Sequence, residues 1–187
     1  NTKVANVLHG KNPSRGTSEL GTPEWDGSKD PLFTDALELI NDIIESNNRY
    51  DGTDNTPLFK IQMAYFLLWS SIERYISLRY GIGTDKTIRD RYSKMSEEPA
   101  FKKGLNQIEL GEARKKQVIR TDRPGDDEKL DKDNPRKSLD YYYQVRSNAI
   151  HRGKSAHIDF ELLRNSLIEL HTIFKDYVLT DAFSRHK

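Results

Sequence analysis

The residues of this chain whose types and spacing best fit catalysis are an arginine and a histidine near the end of a helical stretch. Arg146 and His151 lie five positions apart in the segment YYYQVRSNAIHRGK, residues 141–154. Arginine stays protonated and can hold phosphoryl oxygens bidentately, whereas histidine, with an ordinary pKa of about 6.5, takes and gives protons near neutrality. The pair therefore predicts proton transfer at a phosphate, and Arg152 and Lys154 add positive charge beside it.

Cleavage of RNA without a metal ion is a reaction that these two side chains fit. The ribose 2′-hydroxyl attacks the adjacent phosphorus while one group removes its proton and another protonates the departing 5′-oxygen. Positions five apart on a straight helix lie about 140° around the axis, so convergence needs a helix break near Gly153 or a second chain. A two-fold dimer would bring two copies of His151 and Arg146 to one cleft, where Ser147 and Asn148 could position the ribose or the imidazole.

Two further residues are candidates for support and binding. Glu73 lies on a largely apolar helix, where its carboxylate either fixes the Arg146 guanidinium or is a surface neighbour of other arginines. Tyr142 belongs to a run of three tyrosines and is a candidate for stacking on an unpaired base. Consecutive helical residues point in different directions, so core packing stays open for at least one of the three.

His171 lies beside the apolar stripe of the last helix, which favours a packing role.

Composition limits the classes of function. The chain has 30 Lys and Arg against 29 Asp and Glu, so its formal net charge of +1 argues against general coating of polyanions. It has no cysteine, which excludes disulfides, thiolate metal sites and cysteine nucleophiles and favours a cytoplasmic location. The strongest apolar run, residues 64–69, is far shorter than the roughly 20 residues that cross a bilayer. We expect no membrane association, no metal and no cofactor.

Hydrophobic spacing predicts an all-α fold in one domain. Apolar residues recur at three and four residue intervals in several segments, and no segment alternates as a strand. The predicted helices cover residues 32–47, 57–80, 84–96, 99–119, 138–153 and 160–178. We expect an antiparallel helical bundle at 32–182, with an extended N-terminal arm at 1–31, a charged loop at 120–137 before the penultimate helix, and a C-terminal tail at 183–187.

The motif and its flanks resemble those of the HEPN domains. Arg146, Ser147 and His151 match the family signature of Arg, a polar residue, and His after three to five further residues, with serine where asparagine, aspartate or histidine is more usual. The segment YYYQVRSNAIHRGK is similar to the region before the final helix of Apea-like HEPN proteins. LLWSSIERYISLRYG, residues 67–81, is similar to their long second helix with its Glu73.

The resemblance implies a helical bundle that dimerises and often acts as a metal-independent endoribonuclease. It implies Arg146 and His151 as catalytic residues, RNA as substrate, and a role as a toxin or in defence against phage. An antitoxin or a separate nucleotidyltransferase is a further expected partner. Because so short a motif also arises by chance, a non-catalytic module remains open, in which Arg146, Arg152 and Lys154 contact RNA phosphates or a protein carboxylate.

Overall fold

A computed structural model describes residues 27–80, 88–109, 117–119, 127–151 and 156–184, which form an all-α helical bundle as predicted. The α-helices are α1 (Asp35–Ser46), α2 (Thr56–Tyr80), α3 (Ile88–Ser96), α4 (Pro99–Gln107), α5 (Pro135–His151), α6 (Ala156–Thr172) and α7 (Thr180–Ser184). The remaining elements are a short 3-10 helix (Gly27–Lys29), a π-helical segment (Ile173–Leu179) and two strands, β1 (Gln117–Ile119) and β2 (Asp127–Lys129). None of the helices in these ranges is long and apolar enough to cross a membrane.

Helix α2 is the centre of the bundle, as its sequence predicts. It starts where Asp54 Oδ1 accepts the backbone N–H of Thr56 at 2.8 Å, followed by Pro57, whose missing donor costs nothing in a first helical turn. The helix packs against α1, α3, α5 and α6. Its core-facing side chains recur at three and four residue spacing and are buried: Leu58, Ile61, Tyr65, Leu68, Trp69, Ile72, Tyr75 and Ile76.

The packed structure extends beyond the predicted domain boundaries at both ends. The described part of the predicted arm, residues 27–31, forms the 3-10 helix and a turn rather than extended chain. Asp30 holds it to α2 through an ion pair with Arg74 Nε at 3.0 Å. At the other end, Phe183 of the predicted tail packs against the ring of Phe33, with centroids 6.2 Å apart. An ion pair at one boundary and an aromatic contact at the other therefore join both to the core.

The prediction of one helix over residues 99–119 is wrong. Helix α4 ends at Gln107, and Ile108 has an extended backbone (φ −68°, ψ 128°) with a buried side chain. Strand β1 then pairs antiparallel with β2, with Val118 opposite Glu128. The β-branched pair Val118 and Ile119 favours a strand, so the charged connector between α4 and α5 contains regular structure that hydrophobic spacing alone did not indicate.

Helix α5 starts at Pro135, three residues before the start that the sequence predicts. Asn134 precedes the helix, and its Oδ1 accepts the backbone N–H of Lys137 at 3.1 Å, with Pro135 as the first helical residue. Ser138 is buried inside the first turn, where its hydroxyl donates to the Asp131 carbonyl at 2.6 Å and accepts the Asp131 N–H at 2.9 Å. These bonds fix the start of the helix that carries Arg146.

His171 has the packing role that its sequence context predicts. It is buried in α6, and its Nε2 lies 3.1 Å from the Leu37 carbonyl of α1, to which it donates. Burial lowers the pKa of His171 below its ordinary value; Lys175 also lowers it, while the Leu37 carbonyl and Asp176 oppose the shift. The folded chain therefore holds this imidazole neutral at pH values where an unfolded chain begins to protonate it.

We expect His171 to make the fold less stable in mild acid. Because the folded pKa is lowered, the unfolded state binds more protons, and stability is lost as pH falls from about 6.5, the ordinary histidine value, through the folded pKa. Urea unfolding of the wild type and of His171→Gln at pH 7.5 and 5.5 measures this loss. The wild type should lose more stability than the variant, whose amide donor does not titrate; equal losses would contradict the assignment.

Candidate functional site

Arg146 of α5 is held against α2 by a carboxylate and two aromatic rings. Its Nη2 donates to Glu73 Oε1 at 3.4 Å. Its guanidinium carbon lies 6.0 Å from the centroid of the Trp69 ring and 5.7 Å from that of Tyr143. The contact between Glu73 and Arg146 is the one that the sequence favoured, and 26% of the Arg146 side chain remains exposed.

Helical spacing explains why these four side chains meet. Trp69 and Glu73 are four residues apart on α2, and Tyr143 and Arg146 are three apart on α5, so each pair shares one helix face. Helices α2 and α5 are in contact, which brings the two faces together. A guanidinium over aromatic rings gains about 0.5–1 kcal/mol at a partly exposed site. The contacts with the two rings therefore restrict the orientation of the Arg146 guanidinium, while part of the side chain stays exposed to solvent.

Tyr92 of α3 completes this arrangement. Its hydroxyl donates to Glu73 Oε1 at 2.9 Å, and its ring packs against Trp69 (centroids 5.1 Å apart) and Tyr143 (5.6 Å). Burial, followed by the charge of Glu73, raises the pKa of Tyr92 well above its ordinary value, so the hydroxyl stays a donor. We name Arg146, Glu73, Tyr92, Trp69 and Tyr143 together the arginine cluster.

Sequence reasoning did not find Tyr92. Its helix α3 is short and polar, and its bond to Glu73 joins residues 19 positions apart that lie on different helices. No spacing rule marks such a contact. Trp69 and Tyr143 carried a usable signal, because an aromatic residue three or four positions before a functional charge lies on the same helix face.

Arg146 has a carboxylate partner, but not all of its hydrogen-bond donors are used. Within the described ranges, the Arg146 Nε is buried and has no hydrogen-bond partner. The bond from Nη2 to Glu73 is longer than the 2.7–2.9 Å typical of a charge-assisted hydrogen bond. Because Nε is buried, Arg146 can donate to a further anion only through the terminal nitrogens at the exposed side of its guanidinium.

The backbone separates Arg146 from His151 within one chain. Helix α5 is regular from Pro135 through His151, so the two positions lie about 140° apart around its axis. The break that would let them converge does not occur before His151. The side chain of His151, and the whole of Arg152 and Lys154, lie outside the described residues.

Tyr142 does not have the exposed ring that base stacking needs, which corrects the prediction for this residue. It is 0% exposed. Its hydroxyl donates to Glu169 Oε2 at 2.9 Å, and its carbonyl accepts a hydrogen bond from the Tyr65 hydroxyl at 2.8 Å. A ring enclosed in the core cannot stack on a base, and the half-buried Tyr143 is the tyrosine of this run that lies beside Arg146.

The two predicted supporting residues after Arg146 differ in exposure. Asn148 is 8% exposed, and its Oδ1 accepts a hydrogen bond from Gln144 Nε2 at 2.9 Å within α5. This burial contradicts direct contact between Asn148 and a ribose. Ser147 is half-buried and stays a candidate for substrate contact.

A shallow notch between α3 and α5 adjoins the arginine cluster. It shares Tyr92 and Tyr143 with the cluster, and its other lining residues are Ser93, Arg136, Leu139 and Asp140. Arg136 is exposed and lies ten residues before Arg146, about 15 Å along the helix axis. The exposed side of α5 therefore carries two arginines with a tyrosine between them.

In the part of the chain that the structure describes, no three histidine, aspartate or glutamate side chains group together to hold a metal ion. Comparisons with protein-family models, with curated proteins and with solved structures found no match. The chemistry of the arginine cluster and the sequence around it are thus the basis for a functional assignment.

Proposed function

We propose that this chain is a HEPN-type endoribonuclease that cleaves single-stranded or loop RNA without a metal ion. The observation that supports this most is the arginine cluster: Arg146 is held by Glu73 and two rings, partly exposed, five residues before His151. A guanidinium that is fixed before the substrate arrives stabilises developing charge without reorganising during the reaction.

The proposed reaction needs two proton transfers and one site of negative charge. One His151 removes the proton from the ribose 2′-hydroxyl, whose oxygen bonds to the adjacent phosphorus. A second His151 gives a proton to the 5′-oxygen as its bond to phosphorus breaks, leaving a 2′,3′-cyclic phosphate and a 5′-hydroxyl. Arg146 donates to the phosphoryl oxygens, on which charge accumulates in the transition state.

A homodimer supplies the second histidine. Because α5 stays helical from Arg146 to His151, one chain presents the two positions in directions that diverge. A two-fold axis near this end of α5 would face one chain's Arg146 toward the other chain's His151. Arg152, Lys154 and Tyr143 are then the proposed RNA contacts, with Tyr143 in place of Tyr142. A cytoplasmic toxin or phage-defence role, with an antitoxin or nucleotidyltransferase partner, belongs to the same proposal.

The proposed reaction predicts that cleavage persists in a chelator. We expect a fluorescent single-stranded RNA to be cut at the same rate with and without EDTA, because every proposed role belongs to a side chain of this protein. The 5′ fragments should end in a 2′,3′-cyclic phosphate, which mass spectrometry distinguishes from other ends. An RNA whose 2′-hydroxyls are all methylated is the control and should stay intact. Products that vanish in EDTA, or that lack the cyclic phosphate, would contradict the mechanism.

The charge balance of the cluster favours a second candidate function. Glu73 offsets part of the charge of Arg146 through one long contact, as it would in a module that uses this surface for binding alone. Such a module would bind RNA phosphates with an affinity that falls as salt rises, without producing fragments. Salt-dependent binding that is lost in Arg146→Ala, together with intact RNA after long incubation, would favour this candidate over the nuclease.

A further inference from the structure

One oxygen of Glu73 accepts two hydrogen bonds of unequal length. The Tyr92 hydroxyl donates to Oε1 at 2.9 Å, and Arg146 Nη2 donates to the same Oε1 at 3.4 Å. An arginine–carboxylate bond is typically 2.7–2.9 Å long and often bidentate. The neutral tyrosine therefore forms the shorter hydrogen bond to Glu73. The guanidinium normally forms the stronger bond to a carboxylate, but here it makes one long contact.

The position of Tyr92 explains this inversion. Its ring is buried against Trp69 and Tyr143, so the hydroxyl has little freedom to follow a moving carboxylate. Glu73 belongs to the central helix α2, whereas Tyr92 belongs to α3 and Arg146 to α5. The carboxylate lies between two donors on different helices, and a closer approach to Arg146 would lengthen or break its bond with Tyr92.

We propose that Tyr92 is a positioning residue that keeps Glu73 from pairing fully with Arg146, and so leaves the guanidinium able to bind an RNA phosphate. For its substrate, this inference rests on the function proposed above. Tyr92 itself touches no substrate; it acts through Glu73. The packing of α3 on α2 and α5 thereby determines how strongly Arg146 can bind a phosphate.

Tyr92→Phe tests the proposal, because it removes one hydroxyl and keeps the ring. Glu73 then loses its competing donor and should close on Arg146. We expect the affinity for a single-stranded 2′-O-methyl RNA, which binds but cannot be cleaved, to fall about tenfold, since a charge-assisted bond to phosphate is weakened. The Arg146 Nε–Hε signal, assigned in 15N NMR spectra with Arg146→Lys, should shift without any RNA present.

Tyr75→Phe is the matched control. Tyr75 is a buried tyrosine of α2 whose hydroxyl also bonds a carboxylate, that of Glu98, at 2.8–2.9 Å. Its removal costs a comparable hydrogen bond to Glu98, which is not a member of the arginine cluster. We expect RNA affinity and the Arg146 signal to stay as in the wild type, although the unfolding temperature falls.

A second substitution separates positioning from structural support. In Tyr92→Phe/Glu73→Gln the side chain beside Arg146 carries no charge, so RNA affinity should rise above that of Tyr92→Phe. Glu73→Gln alone should bind RNA more tightly than the wild type, because the negative charge that competes with phosphate for Arg146 is gone. A structural role for Tyr92 would predict no such rescue. An unchanged Arg146 signal in Tyr92→Phe, or a double variant that binds no better than the single one, would overturn the proposal.

The two proposals fail in distinguishable ways. If the wild type binds RNA but never cuts it, the proposed nuclease activity is wrong. The RNA affinities of the variants would then still test the role of Tyr92. If the wild type has no affinity for RNA, the proposed function is wrong. The NMR comparison of Tyr92→Phe with Tyr75→Phe would still show whether Tyr92 affects the environment of Arg146. Glu73→Gln supplies an independent arm if Tyr92→Phe does not fold.

Discussion

Replacing His151 by alanine is expected to slow RNA cleavage by roughly 10²–10⁴-fold, the range that a positioned general acid or base contributes. The proposed mechanism uses this imidazole twice, once in each chain, so the loss should lie near the upper end. Position 151 is the last residue of α5, where a substitution removes no helical turn from the core. Single-turnover cleavage of a fluorescent RNA measures the rate, and thermal unfolding checks that the fold is kept.

His171→Gln is the matched control for the loss of a histidine. His171 is buried in α6 against the Leu37 carbonyl of α1. At pH 7.5, where the wild-type imidazole is neutral, this variant should cleave RNA at the wild-type rate. A His151→Ala protein that cuts as fast as the wild type would remove His151 from the mechanism.

Arg146→Ala is expected to lose both activity and stability. Removing a donor that stabilises transition-state charge costs about 10²–10³-fold in rate. The substitution also leaves Glu73 without its cationic partner and uncovers the Trp69 and Tyr143 rings, so we expect the free energy of unfolding to fall by about 1–2 kcal/mol. Single-turnover rates and urea unfolding measure the two effects separately.

Two further variants separate charge from geometry. Arg146→Lys keeps the charge and loses the planar fork, so it should recover part of the stability but little of the activity. Arg74→Ala is the control, because it breaks another ion pair of α2, with Asp30. The Arg74 side chain is 44% exposed, so the substitution should cost no more than about 1 kcal/mol and leave cleavage unchanged. Wild-type cleavage by Arg146→Ala would exclude the arginine from the reaction.

The fold was predictable where one helix face is apolar along its whole length. Helix α2 repeats its buried residues every three or four positions from Leu58 to Ile76, so pattern and structure agree. The pattern fails after Gln107, where short segments such as Val118 and Ile119 satisfy their backbone through a partner strand instead of a helix. A run of tyrosines on α5 likewise does not reveal which ring is enclosed, because that depends on the helices around it.

The candidate site was predictable in its charges and not in its packing. Pairing of Glu73 with Arg146 was one of two alternatives that the sequence left open, because a carboxylate on a mostly apolar helix needs a cation. Tyr92 was missed because its contacts depend on how α3 lies on α2 and α5, which no local pattern encodes. The burial of Asn148, which argues against contact with a ribose, was missed for a similar reason: Gln144, four residues before it, shares a buried face of the helix. Its role in positioning the imidazole stays a prediction.

The central claim is that two chains contribute to one cleft, with both copies of His151 acting beside Arg146. Mixing wild-type chains with an excess of His151→Ala chains, after partial unfolding and refolding to exchange subunits, tests it directly. Mixed dimers contain only one of the two histidines that the reaction uses, so RNA cleavage per wild-type chain should fall steeply after exchange. An equal excess of His171→Gln chains is the control and should cause no fall. Cleavage per wild-type chain that stays constant although mixed dimers with His151→Ala have formed would contradict the shared cleft.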